Sequence, residues 1–223
     1  MDKTIAPARQ PIRPKMYELL SSLPNDITIV SGQLCEKIDW QSNNLKANKL
    51  GQNGNHAIDL NGNELWNTPL TEKECAEVQE HIVLLKSALP EQPNEEYNPI
   101  ENRGAQITFS PIGNTAPVEL KKAYDPDASK RLKLLADHPF VSETMMVLIG
   151  GSTSLDYIPK VRHKGTNVKK FIEHMDWNPN DCVYFGDGLY PGGNDEFVIG
   201  VIDTVPVTDE EDCEMLLREM LDK

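Results

Sequence analysis

The chain has 223 residues, 39% of them hydrophobic and 26% charged, the balance of an ordinary globular protein with room for one large domain or two small ones. Its 35 acidic residues against 22 basic ones give a formal net charge of −13, which argues against nucleic acid or an anionic membrane as a partner. No apolar run reaches transmembrane length and the polar, proline-bearing N-terminus reads as no signal peptide, so the cytoplasm is the expected compartment.

Pro11 to Pro14 lead into a short amphipathic helix over Lys15 to Ser22. Ile27-Thr-Ile-Val30 is a β-branched apolar run that stops at Ser31-Gly32, the pattern of a buried parallel strand. Gly51 to Asn55 is a turn cluster. His56 to Leu60 and Glu64 to Asn67 flank Asn61-Gly62 as the arms of a hairpin, and His56 is read as structural. A capping box, Thr71-x-x-Glu74, opens a helix that runs to about Ser87, with Val78, Ile82, Leu85 and Leu89 at helical spacing. Pro90 to Asn98 is a polar loop. Ala105, Ile107 and Phe109 alternate with Gln106, Thr108 and Ser110, which predicts a strand with one wet face. Asp125 to Asp127 starts a helix through about Ala136, and strands over Thr144 to Ile149 and Ser154 to Ile158 follow on either side of Gly150-Gly151.

His163-Lys-Gly165 precedes a helix through His174 with Val168, Phe171, Ile172 and Met175 on one face; both histidines are expected at the surface. Gly200 to Val207 reads as a short edge strand, and Thr208-x-x-Glu211 caps a final helix containing Met215, Leu216, Met220 and Leu221. The helices and strands between Thr71 and Pro159 make a second α/β unit inside the first, which predicts a core of residues 1–70 and 160–223 and a cap of residues 71–159. Cys35, Cys75, Cys182 and Cys213 are far apart and form no C-x-x-C pair, so reduced thiols are expected, Cys182 in a buried strand.

Val183-Tyr-Phe-Gly186 is an apolar run that stops at Asp187, and the glycine-rich loop after it ends at Asp195. Two acids on a tight loop at the end of a strand suit a hard cation, because Mg²⁺ takes oxygen ligands and keeps much of its water. A lone Gly-Asp-Gly is more often an acidic surface turn; the strand before it and the Asn194-Asp195 pair after it favour the site. The full run Gly186-Asp-x-x-x-Pro-Gly-Gly-Asn-Asp195 resembles the fourth motif of the haloacid dehalogenase superfamily of phosphotransferases and, in its extra loop residues, the eukaryotic-type phosphomannomutases. That resemblance implies an α/β fold with a doubly wound parallel-sheet core and an inserted α/β cap, Mg²⁺ as cofactor and a phosphorylated sugar as substrate.

Met1-Asp-Lys-Thr-Ile5 is similar to the second half of the superfamily's first motif, Asp-x-Asp-x-Thr after an apolar strand. Asp2 then corresponds to the general acid/base, and the nucleophilic Asp would stand one position before Met1, on a strand the sequence lacks. In the other register Asp2 is itself the nucleophile, with Ala6 where the motif has Thr. Ser31-Gly32 is similar to the second motif. Lys164, at a helix start beside Gly165, is similar to the third, whose lysine neutralises the aspartyl-phosphate. The resemblance thus implies Asp2, Ser31 and Lys164 as catalytic residues, Asp2, Asp187 and Asp195 as metal ligands, and Thr4, Gly32 and Asn194 as substrate contacts.

In the predicted cap, Arg103-Gly-x-x-x-Thr-Phe-Ser-Pro-Ile-Gly113 and Gly150-Gly-Ser-Thr-Ser-Leu-Asp156 resemble the phosphomannomutase segments for substrate phosphate and sugar hydroxyls. Arg103, Ser154 and Asp156 carry over by position. The guanidinium fork matches phosphate geometry, and a carboxylate and a hydroxyl take sugar OH groups. At Asn114 and Leu120 the family has arginines; Lys121 and Lys122 stand beside the second.

Three functions share these residues: a mutase that passes the phosphoryl group to a hexose bisphosphate intermediate, a phosphatase that passes it to water, and a catalytically dead relative. The family's habit of dimerising through the cap makes a homodimer the expected assembly. A core without its first strand should leave unpaired backbone groups at the middle of its sheet.

Overall fold

Proline at the first helical position, where a missing N–H costs nothing, starts α1 (Pro14–Ser22) in the computed structural model, which describes residues 1–221. The β-branched run gives β1 (Thr28–Val30), a single short helix α2 (Cys35–Gln41) follows, and β2 (Asn48–Gly51) pairs parallel to β1 with Val30 opposite Leu50. β3 (His56–Ile58) and β4 (Glu64–Asn67) continue the sheet antiparallel, in the order β1-β2-β3-β4. The hairpin turn is built by Asp59, whose carboxylate accepts the N–H groups of Asn61 and Asn63 at 2.8 Å each.

α2 and β2 have no clear sequence signal. Asn48-Lys-Leu-Gly51 contains no β-branched residue, and its strand is set by pairing with β1 and not by local preference. α2 has no side-chain cap and buries only Cys35, Ile38 and Gln41, too few positions to show a period.

The chain divides into two compact units, residues 1–67 with everything from Arg162 onward, and Thr68–Val161. The second unit opens on α3 (Glu72–Ala88) with a complete capping box: Thr71 Oγ1 accepts the Glu74 N–H at 3.2 Å and the Glu74 carboxylate accepts the Thr71 N–H at 2.8 Å. Then come β5 (Ile100–Asn102), β6 (Ile107–Phe109), α4 (Val118–Tyr124), α5 (Ser129–Asp137), β7 (Met145–Gly150) and β8 (Ser154–Pro159), forming an antiparallel sheet ordered β5-β6-β8-β7. Ile107, Phe109, Met145, Leu155 and Tyr157 line one face and pack with Val78, Ile82 and Leu85 of α3.

The opposite face of β6 is polar but not wet, contrary to the alternation reading. Gln106 and Thr108 are each 1% exposed, and they are buried because they satisfy one another: Gln106 Nε2 donates to Thr108 Oγ1 at 3.0 Å, and that hydroxyl donates to Asp156 at 2.9 Å. α5 starts at Ser129, later than expected, because α4 occupies the preceding stretch and Asp125 turns back to accept the N–H groups of Lys130 and Arg131.

Returning to the first unit, α6 (Lys164–His174), β9 (Val183–Gly186), β10 (Asp203–Pro206) and α7 (Glu210–Leu221) complete the chain, β9 and β10 pairing parallel. The cap of α7 falls on Asp209, one residue beyond Thr208: Asp209 accepts the N–H groups of Glu211 and Asp212, and Asp212 reaches back to the Thr208 N–H. Cys182 is half-buried just before β9 and not inside a strand, and all four cysteines are free thiols. His163 is half-buried and stacks on Phe197 with ring centroids 4.3 Å apart, while His174 is exposed. Among the described residues no helix is long and apolar enough to cross a membrane.

The core sheet comes in two pieces. β9 and β10 form their own two-stranded sheet, so among the described residues β1 and β9 are each paired on one side only. Yet both pieces share the same layers. Ile29 of β1 and Phe185 of β9 meet in one apolar cluster with α1 and α7, and Val30 and Tyr184 meet in the other with α6. Successive residues of both strands thus face opposite helical layers, as in a doubly wound sheet.

Candidate active site

The parallel strands β1 and β9 end at Ser31 and Asp187, and the carboxyl ends of such strands are where doubly wound sheets bind ligands. Lys164 is the first residue of α6, whose N-cap is His163, and it is 4% exposed. Its ammonium rests on Asp195 Oδ1, and the Tyr184 hydroxyl donates to the same oxygen at 2.7 Å. The Gly188 N–H donates to Asp195 Oδ2 at 3.2 Å. Burial alone would raise the Asp195 pKa, but the Lys164 charge and the hydrogen bonds from Lys164 and Tyr184 outweigh it and hold the carboxyl below its ordinary value. Burial, and then the Asp195 charge, push the Tyr184 phenol well above its ordinary range.

Thr4 is buried and donates its hydroxyl to Asp187 Oδ1 at 3.0 Å, with the Asp2 carbonyl oxygen 3.4 Å from the same hydroxyl. One hydroxyl therefore gathers a carboxylate and a carbonyl oxygen round a single point. The Asp2 carboxylate is held elsewhere, accepting the Arg9 N–H at 2.9 Å and the Gln41 side-chain amide. Burial lowers the pKa of the Met1 amino group, Lys164 lowers it further, and Asp195, Asp187 and Asp2 act in the opposite sense.

Ser31 joins this group through backbone. Its carbonyl accepts the Asn53 N–H at 2.8 Å, the Asn53 carbonyl accepts Asn167 Nδ2 at 2.8 Å, and the same amide donates to the Arg162 carbonyl, two residues before Lys164. Asn55 Nδ2 donates to that carbonyl too, at 3.0 Å. The loop can do this because Gln52, Asn53 and Gly54 are all left-handed, at φ 53°, 58° and 86°. Gly54 presses so closely on the Asn167 Cβ that a side chain there has no room. The Ser31 hydroxyl accepts the Gln33 N–H at 3.2 Å, with Gly32 between them half-buried. Asn194 is exposed with Oδ1 packed on Gly188.

The expected metal ligands are not assembled as a set: among the described residues no three acidic, histidine or cysteine side chains group so as to hold an ion. Asp195 is spent on Lys164, Tyr184 and Gly188, and the Asp2 carboxylate on Arg9 and Gln41. What remains is the Asp187 carboxylate and, within reach of the same Thr4 hydroxyl, the Asp2 carbonyl, an oxygen-only donor pair. That pair fits Mg²⁺, which needs one or two protein oxygens and takes the rest from water and phosphate.

In the second unit, Arg103 pairs with Glu101 at 2.7 Å and also acts on Asp156. Burial raises the Asp156 pKa, opposed by the Arg103 charge and the Thr108 hydrogen bond. Ser154 lies two residues along the same strand face, and its carbonyl accepts Arg131 Nη1 at 3.0 Å. At the position where the resemblance implies an arginine, Asn114 ties to the carbonyls of Asn98 and Pro99, and the buried Lys121 ammonium donates to the Asn114 carbonyl. Leu120 is 51% exposed. Sequence reasoning missed Tyr184, Asn53 and Asn167. Only Asn167 left a trace, a poor helix former buried in the first turn of α6.

A split parallel core whose strand ends carry Asp187 and Ser31 beside a buried lysine–aspartate pair, joined to a separate α/β unit, defines a protein of the haloacid dehalogenase superfamily. Within it, the family model described as eukaryotic phosphomannomutase matches residues 27–223, and the chain belongs to that family. No curated protein matches the sequence. Among solved structures, SMU.1108c of Streptococcus mutans superposes with a TM-score of 0.68 at 15% identity, over 100% of this chain and 97% of that one. A haloacid dehalogenase-like hydrolase from Bacteroides thetaiotaomicron gives 0.65 at 12%, covering 98% and 96%. The C-terminal domain of C. albicans trehalose-6-phosphate phosphatase gives 0.64 at 21%, covering 90% and 70%. At these identities the likeness is one of fold.

Proposed function

We propose that the protein serves Mg²⁺-dependent phosphoryl transfer on a hexose phosphate in the cytoplasm, by way of an aspartyl-phosphate. The observation that carries the reading is the buried Lys164–Asp195 pair closing the loop after β9, the loop that opens on Asp187, itself held by Thr4. The attacking carboxylate belongs at the end of a strand lying between β1 and β9, where both neighbours offer open edges and both layers are apolar. Lys164 and the Ser31 hydroxyl hold phosphoryl oxygens as charge moves onto them. Asp2 serves as general acid and then as base once its carboxylate leaves Arg9 and Gln41. Mg²⁺, held by Asp187 and the Asp2 carbonyl, would supply charge neutralisation at the phosphoryl oxygens. Thr4 orients Asp187, and Gly32 and Asn194 line the phosphate side.

In the cap unit, Arg103, Ser154 and Asp156 select the sugar, and association of two copies through that unit is part of the same proposal. Family membership favours the mutase outcome. A specific observation favours hydrolysis instead: Arg103, Arg131 and Lys121 are each already engaged by Glu101, Asp125 and the Asn114 carbonyl, which weakens the second phosphate site that a bisphosphate intermediate needs. The test supplies mannose- or glucose-1-phosphate with Mg²⁺ and a hexose 1,6-bisphosphate, to the chain alone and to the chain preceded by an apolar strand ending in Asp. Isomerised sugar phosphate from the extended protein establishes the mutase, and phosphate release without it establishes the phosphatase. No turnover by either protein refutes phosphoryl transfer.

A further inference from the structure

Asp195 occupies an unusual position for a loop acid. It is 3% exposed, yet its carboxylate meets three donors: the Lys164 ammonium and Tyr184 hydroxyl on Oδ1, and the Gly188 N–H on Oδ2. Two of these come from the loop and helix themselves. The third comes from β9, where Tyr184 packs with Val30 and Phe171 in the α6-side core. Gly186 makes the approach possible, since a Cβ there would run into both Asp195 Oδ2 and the Tyr184 ring. Oδ1, with two donors already on it, has no lone pair directed at a cation, whereas Oδ2 carries the Gly188 N–H alone.

We propose that Tyr184 is a positioning residue that commits Asp195 Oδ1 to Lys164 and withholds that oxygen from the metal, so that Lys164 presents one fixed ammonium to the phosphoryl group. Without the phenol, Asp195 Oδ1 keeps only its ionic partner, both side chains gain rotamers, and the carboxylate becomes available to a divalent ion. The consequence for catalysis rests on the phosphotransfer reading; the geometry of the clamp does not.

The experiment follows the clamp first. Lysine ammonium signals in ¹H–¹⁵N spectra of the full chain should show Lys164, assigned by its loss in Lys164→Met, as protected from solvent exchange. Buried Lys121, in the other unit, serves as the internal control. Tyr184→Phe keeps the ring in the core and removes only the hydroxyl. It is expected to broaden the Lys164 signal and leave that of Lys121 sharp, and to tighten Mn²⁺ binding, measured by electron paramagnetic resonance, by about tenfold, the worth of one charge-assisted hydrogen bond. In an active, strand-completed protein the same variant should raise KM about tenfold more than it lowers kcat. A Lys164 signal that stays sharp in Tyr184→Phe overturns the proposal. So does loss of both lysine signals, since the hydroxyl would then act through the fold as a whole. If the strand-completed protein neither binds Mn²⁺ nor turns over, the phosphotransfer reading fails while the lysine spectra still judge the clamp.

Discussion

The buried ion pair Arg131–Asp125 shows how a single side chain organises its surroundings. Both residues are almost fully buried, the guanidinium donates to Asp125 at 2.7 Å, and its other arm reaches the carbonyls of Gly150 and Ser154. Removing one partner of such a pair leaves an uncompensated charge, so Asp125→Ala should cost about 3–5 kcal/mol in urea unfolding, with Asp125→Asn costing less. His81 offers a pH handle on the same unit. Its Nε2 faces the His138 carbonyl at 2.9 Å and its Nδ1 the Tyr157 hydroxyl at 2.8 Å, and burial lowers its pKa from the ordinary 6.5. A group with a depressed folded pKa contributes stability that is present above the unfolded value and lost as pH falls through the folded one. The urea midpoint should therefore fall as pH drops below about 6.5, and His81→Gln should flatten that slope.

Among the helices, α3 and α6 are held at their starts by different means. α3 relies on the Thr71–Glu74 box, and Thr71→Ala should cost about 1 kcal/mol, read from the thermal transition of the protein. α6 instead is locked from outside by Asn167, whose amide bridges the Asn53 and Arg162 carbonyls. Asn167→Ala should cost about 1–3 kcal/mol and weaken inorganic phosphate binding, because the same bridge sets Lys164 against Ser31. Asn167→Asp, of the same shape but without the donor, should behave like the alanine variant. Unchanged phosphate binding in both variants would mean the bridge is structural only. The start of α6 was legible from His163-Lys-Gly165, but its lock was not: the pairing of Asn53 with Asn167 spans 114 positions and leaves no local pattern.

For the molecule as a whole, the decisive feature is the divided core sheet. Among the described residues β1 and β9 each leave one edge unpaired, and their side chains reach the apolar layers on both faces; an unpaired backbone group is costly wherever water cannot reach it. Amides at those edges should exchange faster than those between β1 and β2. An apolar strand supplied before Met1 should slow that exchange and sharpen the unfolding transition, and equal exchange with and without it would count against a strand-sized gap. Much of this could be read in the chain alone: the apolar run into Asp187, the β-branched run into Ser31, the capping box at Thr71 and the paired glycines at Gly150 each state a local preference that the fold obeys. The dry polar face of β6, the strand β2, and the engagement of the Asp2 and Asp195 carboxylates by protein donors could not. Strand pairing, burial of Gln106 and Thr108, and the choice of partner for a carboxylate depend on what arrives from distant positions. The sequence by itself determined which residues could do the chemistry, because residue type and spacing are local. Only the tertiary structure decided which of them are already taken, because hydrogen bonds are saturable and the competing donors, Tyr184, Lys164, Arg9 and Gln41, come from four separate segments.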